Sequence, residues 1–123
     1  MSDTIIIGQA LPNMPWQDRP LDSQEVVWRY DQNPIIPRNP FLGANSTFNS
    51  AAVPFNGKFA GVFRCDSTAR EMQLHVGFSE DGINWQINAE RIQFINADPE
   101  VSGWEYGYDP RVVWIEDRYY VTW

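Results

Sequence analysis

The chain has 123 residues, of which 43% are hydrophobic and 20% are charged, and it contains a single cysteine, Cys65. These proportions indicate one folded domain and exclude a disordered chain, and a lone cysteine excludes an internal disulfide. The formal net charge of -7, without a cluster of Lys and Arg, argues against nucleic acid and anionic membranes as partners.

The first 24 residues predict an arm without a helix, because three prolines, Pro12, Pro15 and Pro20, interrupt them. The extreme N-terminus has only a short apolar run and no basic segment before it, which is not the pattern of a signal peptide. No apolar run long enough to span a membrane, about 18 residues, occurs in the chain. A cytoplasmic protein is therefore expected.

The remaining chain predicts a β-domain, so we divide the sequence into an arm, 1–24, and a β-domain, 25–123. Within residues 25–30, Val26, Trp28 and Tyr30 occupy alternate positions, which predicts a first strand. Three prolines within 33–40 then predict an extended loop.

Three consecutive antiparallel strands are expected next, over 47–55, 58–65 and 72–78. The first two are joined by Asn56-Gly57, which favours a two-residue hairpin because that turn needs positive φ at both central positions. The even-numbered residues of the third strand are all apolar and are expected to share one buried face. This assignment leaves His75 on the solvent side.

The segment 79–85, Ser-Glu-Asp-Gly-Ile-Asn-Trp, predicts a tight turn with the tryptophan packed back over the hairpin. It resembles the Asp-box hairpin of β-propeller glycosidases, a structural feature that carries no chemistry. A fourth strand follows over 85–88, and a last hairpin is expected from 112–115 and 118–123. Four strands and a new hairpin are the layout of one propeller blade and the start of the next.

The most distinctive candidate for chemistry is Asp109, which lies between Trp- and Tyr-rich residues and the last hairpin. Because Pro110 follows it, its backbone is expected to be extended. A carboxylate at this position could bind a sugar hydroxyl or donate a proton. The alternative is a turn residue whose carboxylate pairs with Arg111.

Other polar residues near strand ends offer amide, hydroxyl, guanidinium and carboxylate groups, which suit sugar binding beside aromatic rings. They are Asn45, Ser46, Asn49, Arg64 and Asp66. The spacing of His and Cys predicts no metal site, and no glycine-rich phosphate loop is present.

Five stretches resemble, in order, the N-terminal part of the mannoside phosphorylases of glycoside hydrolase family 130, above all the members that act on mannosyl-glucose. They are 4–16, 33–40, 45–51, 59–66 and 108–112. The resemblance implies a five-bladed β-propeller that is longer than this chain. The strand pattern at the C-terminus, without a polar tail, likewise favours a fragment.

The resemblance also implies a reaction, in which phosphate displaces glucose from β-1,4-mannosyl-glucose with inversion and gives α-mannose 1-phosphate. Because phosphate is already an anionic nucleophile, one acid suffices. The matching acid is Asp109, which acts through a hydroxyl of the mannose. Asn45, Ser46 and Arg64 match sugar-binding positions, and Asn49 and Asp66 match less closely.

The family's phosphate-binding residues lie further along, so none is expected within this chain, and the 123 residues alone are expected to be inactive. Inorganic phosphate is the implied co-substrate, and no cofactor or metal is expected. The implied partner is a β-mannoside oligosaccharide, with mannobiose or an N-glycan core mannoside as alternatives to mannosyl-glucose. Two other readings stay open: a non-catalytic mannoside-binding β-module, and an inactive fragment whose sheet edge pairs with another copy to form a homo-oligomer.

Overall fold

The computed structural model describes residues 17–95, 98–100 and 106–123, and its regular elements within these ranges are all strands. The strands are β1 (Ala44–Phe55), β2 (Lys58–Ser67), β3 (Leu74–Ser79), β4 (Trp85–Arg91), β5 (Arg111–Ile115) and β6 (Arg118–Thr122). β1 to β4 form one antiparallel sheet in chain order, and β5 pairs with β6 in a separate sheet. The predicted all-β class and the four-stranded antiparallel sheet are confirmed. No described helix is long and apolar enough to cross a membrane.

The predicted strand over 25–30 is wrong, because these residues form bends and irregular backbone. Val26 is 97% exposed and Val27 is 57% exposed, so neither packs on a neighbouring strand. Alternation alone does not make a strand, since an isolated extended segment has no ladder to stabilise it. Of the predicted arm, residues 1–16 lie outside the described residues, and 17–24 contain a turn but no helix or strand. The loop over 33–40 is confirmed.

Both predicted two-residue hairpins are present. Asn56 and Gly57 have φ of 49° and 75°, and Phe55 pairs directly with Lys58 across them. Glu116 and Asp117 have φ of 49° and 60° between β5 and β6. Positive φ at both central positions gives a turn whose twist matches that of the flanking strands.

One side of the four-stranded sheet, which we call the Phe63 face, carries Phe59, Phe63, Cys65 and His75. Phe63 and His75 are register partners, and alternate residues of a strand point to the same side. His75 is 1% exposed, so the expectation that it faces solvent is wrong. The alternation of apolar residues in β3 predicted a solvent-exposed opposite side. That prediction fails because side chains are buried on both sides of β3.

The environment of His75 explains how a polar ring is buried here. Its ring lies against that of Phe41, with centroids 4.8 Å apart, and Nδ1 lies 3.0 Å from the backbone oxygen of Asn88. Burial lowers the pKa of His75 below its ordinary value, although backbone contacts of Asn88 and Glu90 act in the opposite direction. The ring is therefore a neutral part of the core.

The predicted Asp-box turn between β3 and β4 is confirmed in its details. The carboxylate of Asp81 accepts hydrogen bonds from the backbone N–H groups of Ile83 and Asn84, at 2.9 and 2.8 Å. These bonds hold the pKa of Asp81 well below its usual range. Trp85 donates from Nε1 to the Gly82 oxygen at 2.9 Å, and its ring meets the edge of Phe63.

The other side of the sheet, the Arg64 face, carries Val62, Arg64, Asp66 and Leu74, and the β5–β6 hairpin packs near it. The Tyr119 hydroxyl donates to the Pro54 oxygen at 2.8 Å. The ring of Tyr119 also lies 5.6 Å from that of Phe55, centroid to centroid. These contacts join the two sheets and place the segment before β5 beside the sheet.

Candidate functional site

The N-terminal half of β1 is irregular, and this is where three of the predicted site residues lie. The register with β2 shifts between Ala44 and Ser46 and again between Thr47 and Ser50. At each shift β1 contains one residue more than β2, which defines a β-bulge. A bulge bends its strand and redirects side chains, so Asn45 and Asn49 are not placed by simple alternation.

Arg64 and Asp66 form a bidentate ion pair on β2. Nε of Arg64 lies 2.9 Å from Oδ1 of Asp66, and Nη2 lies 3.0 Å from Oδ2. Both side chains are largely buried, at 18% and 16% exposure, and the guanidinium also stacks over the Phe48 ring at 4.4 Å. The bond to Asp66 is the largest cause that raises the pKa of Arg64, and the charge of Asp109 adds to it. The guanidinium is therefore a fixed, permanently charged plane.

The backbone of Asp109 is left-handed, with φ of 51°, so the expected extended conformation is wrong. A following proline disfavours the right-handed helical region, but an aspartate tolerates the left-handed region better than most residues do. The side chain is exposed, whereas Gly107 and Pro110 on either side are buried. The turn thus lifts the carboxylate to the surface while its neighbours anchor the chain.

Gly107 anchors the loop by close contact with β3. A Cβ atom built on Gly107 would lie 2.6 Å from Cγ of Leu74, which is 4% exposed. The backbone N–H of Gly107 also donates to the Met72 oxygen, at 3.4 Å. Only a residue without a side chain lets the backbone lie this close to the sheet.

The alternative pairing of Arg111 with the Asp109 carboxylate is not what the structure contains. Nη1 of Arg111 donates to the backbone oxygens of Asp109 and Pro110, at 3.2 and 2.9 Å. The carboxylate instead accepts a hydrogen bond from Nδ2 of Asn49, with 2.5 Å between nitrogen and Oδ1. This bond connects the bulge of β1 with the turn before β5.

The structure brings the predicted residues into one cluster at one end of the sheet. Ser46 is the register partner of Asp66, and Nδ2 of Asn45 lies 3.0 Å from Oγ of Ser46. Asn49 reaches Asp109, whose charge acts on Arg64. The cluster therefore combines a carboxylate, a fixed guanidinium, amides and a hydroxyl, which are the groups that bind and protonate sugars.

Two supporting residues were missed at the sequence level. Phe48 stacks on Arg64, and Arg38 donates from Nε to the Asn45 oxygen at 3.1 Å. An aromatic side chain within a polar run was the available signal for Phe48, but its position depends on the bulge. Tyr106 and Tyr108, which precede Asp109 closely in the chain, expose 56% and 52% of their surface. Trp104 lies outside the described residues.

A cleft of about 660 Å³ lies elsewhere, beside the Asn56-Gly57 turn and the Asp-box turn. Phe55, Phe59 and Trp85 line it, and Lys58 and Glu80 form an ion pair at its edge. None of the six predicted site residues lines this cleft, so the cluster around Asp109 is separate from it. In the described part of the chain, no group of His, Cys, Asp and Glu could hold a metal ion.

Comparison with known proteins gives a consistent result. The family described as beta-1,4-mannooligosaccharide phosphorylase matches residues 9–123. A Beta-1,4-mannooligosaccharide phosphorylase of Ruminococcus albus is 58% identical over 129 residues, which cover 100% of this chain and 38% of that protein. A 4-O-beta-D-mannosyl-D-glucose phosphorylase of Bacteroides fragilis is 29% identical over 99 residues, which cover 67% of this chain and 25% of that protein. The chain thus spans well under half the length of these relatives.

Proposed function

Because the chain belongs to the family of β-1,4-mannooligosaccharide phosphorylases, we propose that the protein containing it cleaves a β-1,4-mannoside with phosphate. The family expected from the sequence is thereby confirmed. Phosphorylases of this family use inorganic phosphate as co-substrate and need no cofactor. The observation that supports the proposal most directly is the carboxylate of Asp109, held by Asn49 beside the Arg64–Asp66 pair.

In this reaction an oxygen of phosphate attacks the anomeric carbon of mannose from the face opposite the leaving group. The glycosidic C–O bond breaks, and the leaving oxygen takes a proton that comes from Asp109 through a hydroxyl of the mannose. The products are α-mannose 1-phosphate and a saccharide shortened by one mannose. Phosphate needs no activating base, so a single carboxylic acid accounts for the proton transfer.

Arg64 is the residue that we assign to holding the sugar in place. Its Nε and Nη2 bind Asp66, and its Nη1 is the nitrogen that we assign to a sugar hydroxyl. Asn45 and Ser46 add an amide and a hydroxyl at the start of β1. Asp66 orients the guanidinium, so its contribution to binding is indirect.

The acceptor side of the substrate is either mannose or glucose. The sequence stretches favoured glucose, whereas the relative with the higher identity is named for mannooligosaccharides. We therefore propose β-1,4-mannobiose as the first substrate and mannosyl-glucose as the second. Parallel assays with the two disaccharides, at equal concentration, decide between them.

We further propose that β1 to β4 are the first blade of a β-propeller and that β5 and β6 begin the second. Two observations support this arrangement: β1 to β4 form an antiparallel sheet in the order of the chain, and the β5–β6 hairpin packs against the Arg64 face of that sheet. The phosphate site is assigned to the part of the relatives that this chain does not cover. The 123 residues alone are accordingly expected to give no phosphorolysis.

The test is a phosphorolysis assay of the protein at its natural length, with β-1,4-mannobiose and phosphate, followed by ³¹P NMR for α-mannose 1-phosphate. Asp109→Asn is expected to lower kcat by at least about 100-fold. Binding of mannobiose, measured by calorimetry, is expected to persist in this variant. Full turnover in this variant would remove Asp109 from the role of acid. Binding without any turnover in the wild-type protein would favour the non-catalytic mannoside-binding module.

A further inference from the structure

The side chain of Asn49 matched sugar-binding positions only weakly in the sequence, and its contact in the structure is of another kind. Nδ2 donates to Oδ1 of Asp109, with 2.5 Å between them, across a separation of 60 residues. We propose that Asn49 is a positioning residue that determines which oxygen of Asp109 carries the transferred proton. This inference rests on the proposed function and deepens it.

The chemistry of the contact assigns the two oxygens of the carboxyl group. An amide nitrogen is only a donor, so the Asp109 oxygen that faces it, Oδ1, acts as the acceptor. The proton of the neutral acid then resides on Oδ2, which the amide leaves for the sugar. A bond to Oδ1 also restricts rotation of the carboxyl group, so that Oδ2 keeps one direction.

The two bonded side chains are fixed by different parts of the fold. Asn49 lies at the second bulge of β1, and without the extra residue its side chain would follow the simple alternation of the strand. The Asp109 backbone is fixed by the buried residues Gly107 and Pro110, but its carboxyl group is at the surface. Within the described residues, the hydrogen bond that orients this exposed group comes from Asn49. The second bulge of β1 therefore places the Asn49 side chain where it can donate to Asp109.

The test compares Asn49→Ala and Asn49→Asp in the protein at its natural length. Asn49→Asp keeps the shape of the side chain but replaces the donor by a carboxylate. Both variants are expected to lower kcat by about 10- to 100-fold with little change in KM, because the substrate is still bound but the acid is misdirected. Asn88→Ala, an exposed asparagine on β4, is the matched control and is expected to behave as wild type.

Two results would overturn the positioning role. A rise in KM with unchanged kcat would show that Asn49 holds the sugar directly. Wild-type activity in Asn49→Asp would show that no donor is needed at this position. Both results require an active wild-type protein, so they differ from failure of the proposed function, in which wild type itself gives no α-mannose 1-phosphate.

A readout without turnover tests the contact itself. The side-chain NH₂ protons of Asn49 are expected to resonate at different positions in NMR spectra of the wild-type protein and of Asp109→Ala, because that variant removes the accepting oxygen. Asn49 side-chain resonances that are the same in both proteins would refute the contact, whether or not the protein is an enzyme.

Discussion

Replacement of Gly107 by alanine tests how the fold holds the candidate acid. The new Cβ would lie 2.6 Å from Cγ and 2.9 Å from Cδ1 of Leu74. Carbon atoms at rest are about 3.5 Å or more apart, so the loop and Leu74 must separate by about 1 Å. Leu74 is 4% exposed and belongs to β3, so the loop is the part that gives way.

Two effects are expected from this shift, one on stability and one on turnover. Overpacking of this kind typically costs about 1–3 kcal/mol in the free energy of unfolding, which urea denaturation measures. A displacement of about 1 Å two residues before Asp109 breaks its alignment with Asn49 and lowers kcat by up to about 100-fold. Because a 100-fold loss of rate corresponds to about 2.7 kcal/mol, turnover and stability are expected to suffer to a similar degree.

Leu74→Ala provides the matched second mutation for a double-mutant cycle. By itself it leaves a cavity and costs about 2–5 kcal/mol. Combined with Gly107→Ala, it supplies the space that the new methyl group needs, so the double mutant is expected to be more stable than the sum of the single changes by about 1 kcal/mol or more. Strict additivity of the two changes, or unchanged kcat in Gly107→Ala, would refute the role assigned to this contact.

Two further predictions concern Arg64 and His75. Arg64→Lys loses the two-bond pairing with Asp66 and the stack on Phe48, so KM for the mannoside is expected to rise about 10-fold, and an unchanged KM in steady-state kinetics would contradict this. Burial lowers the pKa of His75 below the ordinary histidine value of 6.5. As the pH falls below 6.5, the unfolded chain therefore binds a proton at this histidine that the folded chain does not bind, and the free energy of unfolding decreases. Urea unfolding is expected to show this decline, and His75→Phe is expected to flatten it; parallel curves for the two proteins would refute the assignment.

The sequence was sufficient where the signal is local. Asn56-Gly57 and the Asp-box segment each determine a turn through their own φ preferences and side-chain hydrogen bonds, and both were predicted. Residues 25–30 have the alternation of a strand but no partner, and a pattern within one segment carries no information about pairing. The same limit applies to His75, whose ring packs against Phe41, a residue outside β3.

The resemblance indicated which residues form the candidate site, but it did not predict how they are arranged. A bulge is defined by the register between two strands, so neither strand alone reveals that Asn49 and Phe48 occupy one. The left-handed φ of Asp109 likewise depends on the packing of Gly107 and Pro110. The residue types of the site could thus be named in advance, whereas their partners depended on contacts between distant segments.

The Arg64 guanidinium and the Asp109 carboxylate depend on different sheets, since Arg64 lies on β2 and Asp109 lies two residues before the start of β5. The sheets are joined near the other end of β1 by the Tyr119 hydroxyl and the Pro54 carbonyl. A small sliding of one sheet past the other would change the distance between the Asp109 carboxylate and the Arg64 guanidinium without altering either residue. Substitutions at Tyr119 or Pro54 therefore offer a way to adjust the geometry of the candidate site from a distance.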